Sequence, residues 1–420
     1  MFSKRDMIIF HDLKRKVHLE HDMKKQININ EIKNKTTSPK ERMANLELLR
    51  CVAMMMVVVL HYLGKGNLLP ELTGSDMGSA GLAAWLLESF CIVAVNVYMF
   101  ISGYFLCASS FKLSRLLQLW LQIWSYSVVF GLLGALTGVL REATFDIHYL
   151  LTLLFPVSMG HYWFMTAYVF LYLLLPLVGI AVKKMTKQQM RLALALLLVF
   201  FCIGKSVLPV SFEQDAQGYD CLWYLCVFLT AAYVRRFGAA VLEKKWRGFL
   251  LYAGSCLLIF AGSFFLRFLY LRTGRLDTRL GMCLEYNHIL PYLAAIGLFG
   301  AFARLRIQGK FAAIVNRVAP YTLGVYLLHE NLGLRYSWQK WLGAERLAAE
   351  ASSGGNGLAA VAGLFLGTAA AVAAVFLCGI LVDMIRKWIF DMLHVILLKV
   401  GPYRRLVEKT ERADALFREA

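Results

Sequence analysis

Residues 45–63 read NLELLRCVAMMMVVVLHYL, a run whose interior is apolar except for Glu47, Arg50 and His61. A helix is the only isolated segment that satisfies its own backbone in hydrocarbon, and about 20 apolar residues cross it. The run therefore reads as a membrane span that carries three ionisable side chains at a cost. At ~100° per residue, the step from Arg50 to His61 makes about three full turns and rises about 16 Å, so both lie on nearly one face. Glu47 sits about 60° away from Arg50, close enough to pair with it. A bland account exists for each: Arg50 snorkels to the interface, and His61 hydrogen-bonds a neighbouring helix.

The rest of the chain repeats this character. Of 420 residues, 59% are hydrophobic and only 17% charged, whereas a soluble domain keeps roughly a quarter charged. About ten spans are expected, near 46–63, 82–107, 116–139, 162–182, 191–209, 219–234, 249–271, 285–303, 318–335 and 358–382. The fold class that follows is all-α, a polytopic transmembrane helical bundle. The formal charge of +18 is spread over short loops and tails, which excludes a nucleic-acid-binding domain and matches the positive-inside rule. Lys183, Lys184, Lys187, Arg191, Arg235, Arg236, Lys244 and Lys245 fall in expected inner loops, while the outer loops hold fewer, among them Lys65, Arg141 and Lys205. Both termini are thus expected in the cytoplasm. The nine cysteines show no Cys-x-x-Cys or Cys/His spacing, so neither a disulfide nor a metal is expected.

Three segments are expected. Residues 1–42 are rich in Lys, Asn, Ile and His and read as a basic, disordered tail, with Met43 a second candidate start. Residues 43–382 hold the membrane domain. Residues 383–420 are charged and amphipathic, and Asp383–Val400 reads as a separate helix lying in the inner interface.

With odd spans running outward, His61 lies in the outer half of its helix. The outer ends of other spans then supply His161 and Trp163, Asp220 and Trp223, Glu285 and His288, and His329 with Glu330. Such a lining suits a sugar, because indole faces stack on sugar rings and carboxylates orient hydroxyls. An aromatic belt with ordinary interface polarity is the plainer account.

Five stretches, in order, resemble the acyltransferase-3 family of integral membrane acyltransferases, which modify extracellular polysaccharides and related glycans. They are NLELLRCVAMMMVVVLHY (45–62), VNVYMFISGYFL (95–106), HYWFMTAYVFLYLLLPL (161–177), CLWYLCVFLTAAYVRR (221–236) and YTLGVYLLHE (321–330). The resemblance implies that Arg50 and His61 are the family's essential Arg-x10-His pair. It matches Ser102 and Gly103 to the SGY/SGF element and His329 to the late Tyr-Leu-x-His element. Lys112 and Arg115 stand where the family has basic residues, fewer here than the Arg cluster of many members, and positive-inside bias alone also explains them.

The implied activity is transfer of an acyl group, acetyl being expected, from cytoplasmic acyl-CoA to a hydroxyl of a cell-surface or exopolysaccharide sugar, in the cell (inner or plasma) membrane. Acyl-CoA is then a substrate and no bound cofactor is expected; the partners are acyl-CoA, a glycan acceptor and the bilayer. Catalysis would fall to His61, Arg50 and His329, donor binding to Lys112, Arg115, Ser102 and Gly103, and acceptor binding to Trp163, Glu285 and His288. His61 would act as base or carry the acyl group as an acyl-imidazole; sequence leaves both routes open. A carrier for a lipid-linked glycan or small solute also needs polar residues in the membrane, but no matching pair of broken helices marks two halves of this chain.

Overall fold

The computed structural model describes residues 43–74, 77–137, 146–208, 215–239, 243–352 and 357–417. The 1–42 tail and Arg141 lie outside them. Among the described residues every regular element is helical, as the internal satisfaction of backbone groups in lipid requires.

In chain order the helices are α1 (Ala44–Lys65), α2 (Ser79–Cys91), α3 (Ala94–Leu106), α4 (Leu113–Leu136), α5 (Ile147–Leu154), α6 (Trp163–Lys184) and α7 (Lys187–Val207, with a π-turn at Val199–Ile203). There follow α8 (Cys221–Phe237), α9 (Lys245–Thr273), α10 (Ile289–Ala303), α11 (Gly309–Val318), α12 (Thr322–His329), α13 (Trp338–Trp341), α14 (Ala344–Ser352), α15 (Leu358–Leu397) and α16 (Gly401–Leu416). Eight stretches are long and apolar enough to cross a bilayer, α2–α3 and α11–α12 each counting as one. The chain is a multi-pass membrane protein. Of the expected spans, those near 219–234 and 285–303 are the shorter helices α8, of 17 residues, and α10, of 15 residues, both rich in buried side chains.

Local chemistry sets many of the ends. Thr186 and Gln189 form a reciprocal capping box at the start of α7, and Asp146 and Asp220 accept from backbone N–H groups at the starts of α5 and α8, each satisfying donors that the first turn leaves over. Burial then sorts the bundle into layers. The apolar windows of α1 and α2–α3 are 61% and 67% buried, whereas that of α7 is 17% buried, so α1 and α3 form the core and α7 faces lipid. Small residues permit the closest approach: a Cβ on Gly248 of α9 would lie 2.5 Å from the Ala301 backbone nitrogen, and one on Gly297 of α10 would lie 2.6 Å from that of Tyr252.

The C-terminal segment differs from the sequence expectation. Helix α15 does not stop near residue 382 but runs unbroken for 40 residues. Asp383, read as the start of a surface helix, is buried, and it accepts from Gln122 Nε2 at 3.0 Å, Tyr126 OH at 3.0 Å and Arg386 Nε at 2.6 Å. Its charge is met inside the helix at i+3 and across to α4, so the polar pair gives the helix no reason to end.

Candidate functional site

His61, one turn before the end of α1, meets the end of α12. Its Nδ1 lies 2.9 Å from His329 Nε2 and 3.1 Å from Glu330 Oε1. Lys65, one turn further along α1, pairs with the same Glu330 oxygen. These four side chains form one buried to half-buried cluster.

The hydrogen-bond pattern assigns the tautomers. His329 Nδ1 sits 2.6 Å from the Val325 carbonyl, which can only accept, so that nitrogen carries the proton. In the neutral ring, His329 Nε2 is then an acceptor, and His61 Nδ1 donates to it and to Glu330. His61 Nε2 is left with the lone pair. His61 lines a cavity with Met54, Val57 and Leu60 of α1, Val95 and Tyr98 of α3, Trp163 and Phe164 of α6, Tyr286, and Tyr326 of α12.

The surrounding hydrogen bonds hold α12 in place from its first residue to the turn that follows it. Tyr98 OH and Thr322 Oγ1 are 2.5 Å apart, Tyr162 OH donates to the Leu327 carbonyl at 3.0 Å, and Asn331 Nδ2 donates to the Tyr126 carbonyl and to Tyr162 OH, each at 3.1 Å. Trp338 Nε1 donates to the His329 carbonyl at 3.2 Å, and Gln339 Nε2 donates to the His61 carbonyl at 3.3 Å. A side chain held through several neighbours keeps its geometry during reaction.

His61, His329 and Glu330 offer three ligand atoms within 4.8 Å of one another, a spacing that suits a divalent cation. The Lys65 ammonium already places a fixed positive charge on the shared Glu330 oxygen, and a metal would have to displace it.

Arg50 is not in this cluster. It pairs with Glu47 Oε2 at 2.8 Å and remains partly buried, as the helical spacing predicts. Around it lies a second polar group. The Tyr168 hydroxyl lies near Ser102, Arg50 and Arg115. Tyr172 OH donates to the Lys112 carbonyl at 3.1 Å and accepts from the Lys112 backbone N–H at 3.3 Å, with Arg115 nearby. Three of the residues expected to bind the donor, Ser102, Lys112 and Arg115, thus gather with Arg50, expected to be catalytic, about two tyrosines of α6. Asp414 of α16 also reaches this group, accepting from the Ser114 backbone N–H at 3.1 Å in the first turn of α4. Gly103 has a packing role here: a Cβ would lie 3.0 Å from Phe228 Cα of α8.

The residues expected on the acceptor side separate. Trp163 lines the cavity, near-parallel to Tyr286 at 5.8 Å. Glu285 instead pairs with Lys205 at 2.5 Å, in a group completed by Asp215 and Asn287. His288 caps α10, accepting from Leu290 N at 3.3 Å, and burial with Lys205 nearby lowers its pKa to about 4. His161 spends both nitrogens on structure, Nδ1 with Ser127 at 3.0 Å and Nε2 accepting from Leu332 N at 3.1 Å; burial, with Arg335 alongside, holds it down at about 3. Lys65 and Lys205, expected as solvated loop charges, are both withdrawn into ion pairs. Sequence reading missed Lys65 as a partner of the site, although its place one turn after His61 was a usable signal. Tyr286, Tyr98 and Tyr326 carried no signal that separates a cavity wall from a packed core.

The comparisons with known proteins agree with this geometry. A family model described as an acyltransferase domain matches residues 43–382. No curated protein and no solved structure matches the chain. The matched region contains both polar groups, the cavity and nearly all of the bundle, and the chain belongs to the acyltransferase-3 family of membrane acyltransferases.

Proposed function

We propose that this protein moves an acyl group, acetyl in the first instance, from cytoplasmic acyl-CoA to a hydroxyl of a cell-surface or exported polysaccharide sugar, in the cell (inner or plasma) membrane with both termini cytoplasmic. The observation that carries the reading is the His61 ring, which lines a cavity with Nδ1 held by His329 and Glu330 and the lone pair left on Nε2.

A thioester is an activated donor, so the protein must chiefly supply a base, a place for developing charge, and alignment. His61 Nε2 takes the proton of the sugar hydroxyl as its oxygen attacks the thioester carbonyl. Glu330, fixed against Nδ1, stabilises the imidazolium that forms, as the carboxylate of a catalytic triad does. The tetrahedral intermediate expels the coenzyme A thiolate, and the imidazolium returns the proton to sulfur. The products are a sugar ester and free thiol. The same nitrogen serves an acyl-imidazole route. Arg50, about 16 Å below on the same helix, holds the donor where the basic residues Lys112 and Arg115 meet its phosphates.

The test is glycan acylation in membranes given labelled acyl-CoA. His61→Gln keeps the ring's hydrogen-bonding character but exchanges no proton at neutral pH, and turnover is expected to fall at least about 10²-fold in correctly inserted protein. Near-normal turnover in that variant would reduce His61 to an orienting residue and make His329 the base.

A further inference from the structure

Glu88 belongs to the α2–α3 span and is used by nothing described so far. Its Oε2 is sealed from solvent and has no hydrogen-bond partner. A carboxyl group so placed within a membrane span is held as the neutral acid or needs a hydrogen-bonding partner. The backbone stays right-handed helical through Ile92 and Val93, so Val95, seven residues on and about two turns away, shares its face. Val95 lines the His61 cavity.

Beside that face stands an aromatic wall. Trp163 and Tyr219 have ring centroids 4.3 Å apart, and Tyr219 and Tyr286 are 4.8 Å apart. Glu88 lies within electrostatic range of Tyr219 and Tyr286. The wall is fixed in advance: Tyr286 N donates to the Gln217 carbonyl at 3.1 Å, and Asn96 Nδ2 donates to the Tyr286 carbonyl at 2.7 Å. Trp163 and Tyr286 reach the cavity, while Tyr219 is 45% exposed, so the wall leads from the surface toward His61.

We propose that this mouth of the cavity is the acceptor subsite, in which Glu88 accepts hydrogen bonds from the hydroxyls of a neutral sugar ring whose C–H face stacks on the exposed Tyr219, beside Trp163 and Tyr286. The assignment rests on the acyl-transfer reading and names where its acceptor sits. A cation also favours aromatic faces and a carboxylate, but a cage for a cation keeps its rings apart around a hole. Here Trp163 and Tyr286 lie 17° from parallel and Tyr219 tilts 51° against each, ring on ring with no hole between them, and the exposed Tyr219 suits a hydroxyl-bearing ring.

Saturation-transfer NMR on the protein in nanodiscs tests binding without any donor, using methyl glucoside, methyl N-acetylglucosaminide and choline as probes. Ring protons of at least one glycoside are expected to be saturated by the wild type, and at least threefold less by Glu88→Gln and by Tyr219→Ala, the latter at an exposed position. In turnover assays with that glycoside, both variants are expected to raise the acceptor KM about tenfold and leave the donor KM within twofold. No glycoside signal in the wild type, equal signals in wild type and both variants, or saturation of choline alone overturns the subsite. Turnover whose acceptor KM ignores Glu88→Gln also overturns it, while leaving acyl transfer standing. Glu88-dependent binding in a protein that never consumes acyl-CoA does the reverse.

Discussion

Two buried groups of charge invite comparison, one around His61 and one around Lys205. Each joins a lysine near the end of a membrane helix to a carboxylate far away in sequence, Glu330 for Lys65 and Glu285 for Lys205. In the second, Lys205 meets Asp215, Glu285 at 2.5 Å and Asn287 Oδ1 at 3.1 Å, and Asn287 Nδ2 returns a bond to Asp215 at 2.8 Å. Nearly all its donors and acceptors face one another. In the first, the same kind of pairing fixes Glu330, yet one imidazole nitrogen remains uncommitted beside a cavity. Burying charge is therefore no sign of chemistry by itself. What separates the two groups is the hydrogen-bonding capacity left over once the structure has been satisfied.

The comparison is sharpened most by Glu330→Gln. The amide still accepts from His61 Nδ1, but it no longer stabilises an imidazolium, and kcat is expected to fall about 10²-fold with both KM values little changed. Full-rate turnover in the Glu330→Gln variant would put Glu330 in the same class as Asp215 and Glu285. A smaller effect is expected in the tyrosine-centred group near Arg50. Replacing Lys112 and Arg115 together by Gln should raise the donor KM about fivefold, the scale of two partly solvated charge contacts, and leave the acceptor KM alone; unchanged donor kinetics would mark both as determinants of topology. The smallest effect on turnover is expected from Lys205→Met. Leaving Asp215 and Glu285 uncompensated should cost about 3 kcal/mol, read as a lower unfolding temperature in detergent, with kcat of the folded fraction within twofold. A tenfold fall in that kcat would erase the distinction between the groups.

How far the sequence carried depends on the range of the interaction. Glu47 with Arg50, and the shared face of Arg50 and His61, follow from helical geometry, and the structure has the first pair at 2.8 Å. The late His-Glu pair was legible as polar residues at a span end, but not as the partners of His61, which lie 268 and 269 positions away. Glu285 and His288 show the opposite failure. Residue type and predicted depth placed them with the acceptor, while a distant lysine and a helix N-terminus had already engaged them. Local pattern tells which way a side chain faces along its own helix, and leaves open which neighbour waits there. Helix α15 is a third case: a charged sequence after residue 382 read as a change of element, because an internal Asp383–Arg386 pair looks the same as a solvated one until its burial is known.

That helix has a consequence for the membrane itself. At 1.5 Å per residue, 40 residues make a rod about 60 Å long, roughly twice the thickness of the hydrocarbon layer. Its apolar side chains stay exposed far along it, with Leu366 at 72%, Leu381 at 61%, Trp388 at 65% and Val395 at 62%. An upright rod would carry Trp388 and Val395, together with the exposed Lys387 and Asp391, past the hydrocarbon, so its length is met by leaning, by thickening of the lipid around it, or by running on beyond the bilayer. Asp383 fastens the middle of the rod to α4, and any lean is thereby shared with the bundle. The thickness of the surrounding bilayer, set by acyl-chain length, becomes a physical input to how the protein stands, and reconstitution in short- and long-chain lipids is a way to turn it.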